Sequence, residues 1–233
     1  MKNKVCIIIP AYNESLVLGG VIRNAKSIFS KSKYDCDIIV VSDGSKDNTS
    51  DVARKNGAIV IDHILNSGAG AATTTGLEYA SKQNYIAAAT MDADGQHDPT
   101  DVLAGFNALE KTKSDLLIGS RLIDSTGMSK VKILGNKGLS TITYLLFGIN
   151  STDSQSGLRI YGQQALQKLR WTTTGYEFCS EMLWRAHQLR LKVGEYPIRA
   201  IYTDYSRSKG QNNWNAINII KSLIKRRISE LFT

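Results

Sequence analysis

Two carboxylates two residues apart, Asp92 and Asp94, stand in the stretch Met91-Asp92-Ala93-Asp94-Gly95-Gln96, directly after a run of small and apolar residues. Carboxylate oxygens are hard donors, so such a pair can hold Mg2+ or Mn2+ and leave coordination positions for a diphosphate. Taken alone, Asp-x-Asp-Gly serves equally well as an Asx-turn that closes a strand. Position favours the metal reading. Polar segments follow other apolar runs in the same way: Pro10-Ala11-Tyr12-Asn13-Glu14, Ser42-Asp43-Gly44-Ser45, Asn66-Ser67-Gly68-Ala69-Gly70 and Ser120-Arg121. The arginine in the last of these has a planar fork that matches phosphate oxygens two at a time.

These segments gain meaning only if the chain brings them to one edge. The near-continuous apolar run at 5–9 predicts a strand covered on both faces, followed by helical spacing from Leu16 to Phe29 with Asn13 as its N-cap. Further strands are predicted at 38–41, 58–62, 85–91 and 116–119, separated by helices at 47–55, at 69–82 and after Asp98-Pro99, where proline suits the first helical position. Alternating strands and helices imply a doubly wound α/β sheet, whose ligands lie beyond the carboxyl ends of the strands. After Arg121 the pattern changes to a longer helix at 132–147, strands at 158–161 and 192–198, and a helix at 177–188. Pro197 favours the end or edge of its strand. A last amphipathic helix is predicted at 215–231.

The 233 residues are 42% hydrophobic and 21% charged, which excludes disordered, collagen-like and coiled-coil classes. The N-terminus reads as a strand rather than a signal peptide, and the sequence offers no uncharged apolar run long enough to cross a bilayer. Cys6, Cys36 and Cys179 are dispersed and odd in number, so reduced cytosolic thiols are expected. The net charge is +8, and residues 206–233 carry most of the excess: Arg207, Lys209, Lys221, Lys225, Arg226 and Arg227 against Glu230 alone. A basic tail of this kind serves nucleic acid, an anionic membrane or simply solvent. One catalytic domain over 1–205 with a basic amphipathic segment over 206–233 is the expected organisation.

In their order along the chain, these motifs resemble family 2 glycosyltransferases of GT-A fold, and among them the dolichyl-phosphate mannose synthase and polyprenyl-phosphate glucosyltransferase branch. The resemblance rests on Ile7-Ile8-Ile9-Pro10-Ala11-Tyr12-Asn13-Glu14, Val41-Ser42-Asp43-Gly44-Ser45 with Asp47-Asn48-Thr49, Met91 to Pro99, and Gly119-Ser120-Arg121. Asp153-Ser154-Gln155-Ser156-Gly157-Leu158-Arg159, Gly175-Tyr176-Glu177-Phe178 with Glu181-Met182-Leu183, and Glu195-Tyr196-Pro197-Ile198 extend it over nearly the whole chain. It implies that Pro10, Tyr12 and Glu14 line a nucleotide pocket and that Asp43 contacts base or ribose. It further implies that Asp92 and Asp94 hold Mg2+ or Mn2+ and the donor diphosphate, with Gln96 as a further ligand. Arg121, Lys132 and Lys137 would grip the acceptor phosphate, although the two lysines read equally well as solvated surface. Asp153 is the candidate base, ranked below the Asp92/Asp94 pair because a phosphate acceptor is already anionic and needs orienting more than deprotonating.

The implied activity is inverting transfer of a hexose from a GDP-mannose or UDP-glucose type donor to a polyprenyl phosphate. The protein would be cytoplasmic and peripheral, with the C-terminal helix and its flanking Trp214 and Phe232 at an anionic membrane surface, and no nucleic-acid partner. The bland alternative has this helix packing on the domain. Transfer to a glycan or protein acceptor is the sibling reading. The chain departs from the family at Ala69, where Asn-x-Gly-Lys-Gly usually places a lysine; the departure bears on donor identity, though a backbone cradle for phosphate could survive.

A dinucleotide-binding oxidoreductase is the competing class. Gly68-x-Gly70 precedes a helix and Asp92 follows about 20 residues later, but Thr73 stands at the third glycine position and residues 63–67 separate strand from glycine. A nucleotide-sugar pyrophosphorylase is set aside because its Gly-Gly-x-Gly-Thr-Arg loop is replaced by Pro-Ala-Tyr-Asn-Glu. His63, His97 and His187 are too dispersed for zinc and read as structural, with His97 alone near the expected metal. Glu177 and Glu181, one helical turn apart, face the cleft or form surface salt bridges.

Overall fold

The apolar run at 5–9 lies at the centre of β1 (Asn3–Ala11), with Val5 through Ile9 wholly buried. A computed structural model of the chain describes residues 3–123, 130–147, 151–199 and 201, without the side chains of 130–132, 139, 143, 146 and 147. Side chains alternate across a strand, so β1 feeds two cores. Ile8 joins Ile39, Val41, Leu77, Phe178 and Met182 on one face, while Ile7 and Ile9 join Ile22, Val40, Val102 and Phe106 on the other.

The first core is covered by α3 (Ala69–Lys82), α6 (Gln163–Lys168) and α7 (Phe178–Gln188), and the second by α1 (Leu18–Ser30), α2 (Thr49–Lys55) and α4 (Pro99–Thr112). The remaining strands are β2 (Tyr34–Ser42), β3 (Ile59–Asp62), β4 (Ala87–Thr90), β5 (Leu116–Ser120), β6 (Arg159–Gly162) and β7 (Val193–Pro197). Among the described residues they form one seven-stranded sheet in the order β3-β2-β1-β4-β6-β5-β7. The pairs of β1 with β2 and β4, of β2 with β3 and of β5 with β7 are parallel. β6 runs antiparallel between β4 and β5. Pro197 closes β7 at the sheet edge, as its missing N–H requires.

The two helix starts predicted from capping residues differ in outcome. Asp98 caps α4 as expected, its Oδ1 accepting from Thr100 N at 2.8 Å with Pro99 at the first helical position. Asn13 does not cap α1, which begins only at Leu18; instead Asn13 has φ 54° and its Oδ1 accepts from Lys46 N at 2.8 Å. Asparagine tolerates the left-handed region, and here it ties the loop after β1 to the loop after β2. The C-terminal helix predicted at 215–231, with Trp214, Phe232 and the basic tail, lies outside the described residues. Lys130–Phe147 forms α5, two residues longer at its start than predicted.

Gly76 on α3 faces β1, and an added Cβ would collide with the Ile8 side chain. Gly76→Ala is expected to cost about 1–3 kcal/mol by overpacking this contact, measured as a lower denaturation midpoint at unchanged slope.

Candidate active site

Loops after β1, β2, β3, β4 and β5 meet at the carboxyl end of the sheet, and side chain–backbone hydrogen bonds fix the first two against each other. Glu14 N donates to Thr49 Oγ1 at 2.8 Å, Asn13 N to Ser45 Oγ at 3.1 Å and Ser15 N to Asp47 Oδ2 at 3.1 Å. Burial works against the Asp47 charge, but the bonds from Thr49 and Ser15 outweigh it and hold the carboxyl below its ordinary pKa. Glu14 is thereby held half-buried, beside an open Tyr12 that is 41% exposed, with Pro10 half-buried at the strand end.

Asp43 is buried and its carboxylate is already engaged. Oδ1 accepts from Ser67 N at 2.9 Å and lies 2.7 Å from His63 Nδ1, while Oδ2 accepts from Gly68 N at 2.7 Å. The structure therefore gives this side chain to the loop between β3 and α3. The glycines of that loop are likewise used by the protein itself. A Cβ at Gly68 would strike the Thr174 carbonyl, one at Gly70 would lie 2.6 Å from the Thr173 carbonyl, and Gly70 N donates to Thr174 O at 2.7 Å. The backbone cradle left open at this loop has at least the Gly70 amide spent on the segment at 172–175. The same contacts count against the dinucleotide reading, because the Gly70 amide and the space beside both glycines are taken by residues 173–174.

The segment at 172–175 is anchored by Glu181, which is 1% exposed. Its two oxygens accept from the amides of Thr172 and Thr173 at 2.9 and 2.8 Å and from both hydroxyls. Glu181 is thus a buried anchor rather than a cleft residue, and of the two alternatives that helical spacing leaves it meets the salt bridge in part, pairing with the half-buried Arg185 at 3.5 Å.

Asp92 and Asp94 stand two and four residues beyond the end of β4. The Asp92 side chain is 55% accessible at the floor of the cleft, and a Cβ at Gly157 would lie 2.5 Å from each of its oxygens. Desolvation by the surrounding chain pushes its pKa up, but a hydrogen bond from His97 Nε2 at 3.0 Å and the nearby charges of Arg121 and Arg159 prevail, holding it below the ordinary carboxylate value. Asp94 moves the opposite way: burial first, and the Asp92 charge second, push it up, despite the bond from Gln96 N at 3.0 Å. Gln96 Nε2 also donates to Asp94 Oδ2 at 2.8 Å, so the expected further ligand holds the neighbouring carboxylate in place.

The donor set fits a divalent cation. Two hard carboxylates repel each other within one open corner, and Gly157 leaves the space that Asp92 occupies. Among the described residues no group of three or more His, Cys, Asp or Glu is arranged for metal, so the rest of any coordination sphere falls to substrate and water.

Arg121 follows β5 and forms a two-pronged pair with Asp153. Nε donates to Oδ2 at 2.7 Å, Nη2 to Oδ1 at 2.9 Å, and the Arg121 amide to Oδ2 at 3.1 Å. Asp153 is wholly buried, whereas the Arg121 side chain is 21% exposed. The loop carrying Asp153 is fixed by Glu195, which accepts from Ser151 Oγ and from Thr152 N and Oγ1, each at 2.8 Å. Ser140 on α5 reaches the same loop, accepting from Ser154 N at 3.1 Å. Lys137 is exposed on α5 less than one turn before Ser140, and Lys132 lies on the same helix with its side chain outside the described set.

Tyr176 completes the cleft, and its type and spacing alone assign it no role. Although the residue is 58% exposed, desolvation by the neighbouring chain and then the negative charge of Asp92 push its hydroxyl pKa up, with Cys179, Asp94 and Glu14 adding to the effect. The structure therefore gathers Glu14, Asp92, Asp94 and Tyr176 into one corner, with Arg121 close enough to bias Asp92. The signal in the sequence is its place in Gly175-Tyr176-Glu177-Phe178.

The chain is 36% identical to the UDP-N-acetylglucosamine–dolichyl-phosphate N-acetylglucosaminyltransferase of Methanococcus voltae over 249 residues, covering 97% of each chain. It is 28% identical to the polyprenol monophosphomannose synthase of Mycolicibacterium smegmatis, covering 95% of this chain and 85% of that one. The glucosyl-3-phosphoglycerate synthase of Mycobacterium tuberculosis, crystallised with Mn2+, UDP and glucosyl-3-phosphoglycerate, superposes with a TM-score of 0.67 at 18% identity, covering 95% of this chain and 77% of that one; it shares the GT-A fold. The family model described as glycosyl transferase family 2 matches residues 6–170, and the chain belongs to that family of glycosyltransferases.

Proposed function

We propose that this glycosyltransferase moves a sugar, with inversion, from a nucleoside diphosphate sugar to the phosphate of a polyprenyl phosphate. The observation that carries the reading is the meeting, in one cleft, of a carboxylate corner with an arginine fixed by a buried carboxylate. The nucleotide lies along Pro10, Tyr12 and Glu14, with Asp43 shaping the adjoining loop. Asp92 and Asp94, steadied by His97 and Gln96, would hold Mg2+ or Mn2+, which would offset charge on the departing diphosphate. Arg121 receives the acceptor phosphate, assisted by Lys132 and Lys137 from α5. A phosphate oxygen forms the new bond to the anomeric carbon as the bond from that carbon to the diphosphate breaks on the opposite face.

No proton needs to be removed, because a phosphate monoester has its second pKa near about 6 and is largely dianionic at neutral pH. Asp153 therefore acts as a positioning residue rather than a base, in keeping with its burial and its fork to Arg121. Two relatives named for dolichyl-phosphate and polyprenol transfer support the acceptor class. Among the described residues no helix is long and apolar enough to cross a membrane. Contact with an anionic cytoplasmic membrane face is assigned to the basic residues between 206 and 233.

The test is incubation with Mn2+ and labelled UDP- and GDP-sugars, UDP-N-acetylglucosamine included, with and without a short polyprenyl phosphate. Lipid-linked product from one donor is expected. Sugar transfer only to a glycan or protein, or none across the panel, overturns the lipid acceptor.

A further inference from the structure

Three consecutive threonines follow Gly70 on α3, and they do different things. Thr73 and Thr74 return their hydroxyls one turn back, to Ala69 O at 2.7 Å and Gly70 O at 3.0 Å. Thr75 instead meets His63 Nε2 at 3.0 Å, while His63 Nδ1 lies 2.7 Å from Asp43 Oδ1. An ionised carboxylate only accepts, so Nδ1 carries the proton that meets Asp43, and Nε2 shares a hydrogen bond with the Thr75 hydroxyl. One imidazole thus ties the ends of β2 and β3 to the second turn of α3.

The loop beyond His63 depends on such polar ties. Its two aliphatic side chains, Ile64 and Leu65, are 97% and 74% exposed, so apolar packing does not hold it. Its backbone rides on Gly44, where φ is +68° and a Cβ would lie 2.5 Å from Asn66 N. Its far end is fastened by the Ser67 and Gly68 amides to the Asp43 carboxylate that His63 orients.

We propose that His63 is a positioning residue for the sugar-nucleotide donor. By donating to Asp43 and bonding to Thr75, it sets the carboxylate that fastens residues 64–68, and these form the wall of the nucleotide pocket beside β2. The inference rests on the reading above that the nucleotide lies along the ends of β1 and β2. It gives the His63–Asp43–Thr75 chain a function in donor affinity rather than in bond making, since none of the three reaches the Asp92/Asp94 corner through a hydrogen bond found among the described residues.

The experiment compares wild type with His63→Ala, His63→Asn and Thr75→Val. Amide exchange is followed at Ser67 and Gly68, and UDP and GDP affinities are measured calorimetrically with Mn2+. In His63→Ala both amides exchange about ten-fold faster and nucleotide Kd rises about ten-fold, because a buried acceptor loses its donor. The kcat at saturating donor stays unchanged. His63→Asn restores both readouts, since its side-chain N–H occupies the place of ring Nδ1, and Thr75→Val gives a smaller shift in the same direction. A merely structural histidine would lower the melting temperature without this split between affinity and turnover.

Wild-type exchange and affinity in His63→Ala overturn the proposal, as does His63→Asn behaving like the alanine variant. If His63→Ala does not fold, Thr75→Val and His63→Asn decide it on the same readouts. A wild-type chain that binds neither UDP nor GDP overturns the nucleotide reading and this inference together, which distinguishes the two failures.

Discussion

Asp94→Asn is expected to lower turnover about a thousand-fold, the scale of losing one charged group that acts on a developing leaving-group charge, while leaving thermal stability at or above wild type. The two halves have one cause. Burial and the neighbouring Asp92 charge push the Asp94 pKa up, so the folded protein disfavours the ionised form more than the unfolded chain does. For a raised carboxyl, stability falls as pH climbs from the unfolded value toward the folded one, and the penalty is complete above the folded value. Asparagine removes it and keeps the shape of the side chain that accepts from the Gln96 amide. Melting curves at pH 7 with and without Mn2+ and UDP check the prediction: only wild type gains stability from the pair. A variant that keeps near-full turnover would sink the assignment, and one that melts far below wild type would show Asp94 to be part of the scaffold instead.

The difference between what can be read from the sequence and what cannot follows the range of the interactions involved. Strand and helix positions come from local periodicity and caps: the helix at Ala69–Lys82 is predicted to the residue, and Asp98-Pro99 marks the start of α4. The direction of β6 is not legible, because a four-residue buried strand pairs as well parallel as antiparallel. Asn13 misleads for a related reason. It is as good in a left-handed turn as at an N-cap, and only the Lys46 amide, 33 residues away, decides between them. Among the site residues, Asp92, Asp94 and Arg121 can be picked out because strand ends collect chemistry in a parallel sheet. The tasks of Asp43, Glu181 and Asp153 cannot, since each is defined by partners 8 to 32 residues distant in sequence. Carboxylates look alike until their donors are known.

Arg121→Ala supplies the second large effect, and it separates turnover from stability. Loss of the guanidinium is expected to cut transfer to a polyprenyl phosphate at least about a hundred-fold, on the scale of removing a charge-assisted, two-pronged phosphate contact. Nucleotide affinity with Mn2+ should stay close to wild type, because the donor contacts proposed for Pro10, Tyr12 and Glu14 lie on loops fixed by residues 45–49. The same substitution strands Asp153, which is wholly buried and would keep only the residue 121 amide as a donor from this segment. An uncompensated buried charge of this kind costs about 3–5 kcal/mol, so Arg121→Ala should also denature at clearly lower denaturant. Replacing both Arg121 and Asp153 by alanine removes the stranded charge and is expected to recover part of that stability without recovering transfer. Asp153→Asn adds the remaining distinction. A base would lose its proton acceptor and show a displaced pH–rate profile, whereas a residue that only aims Arg121 loses rate at every pH alike. The assignment fails if Arg121→Ala weakens nucleotide binding as much as it slows transfer, or if the double variant regains activity along with stability.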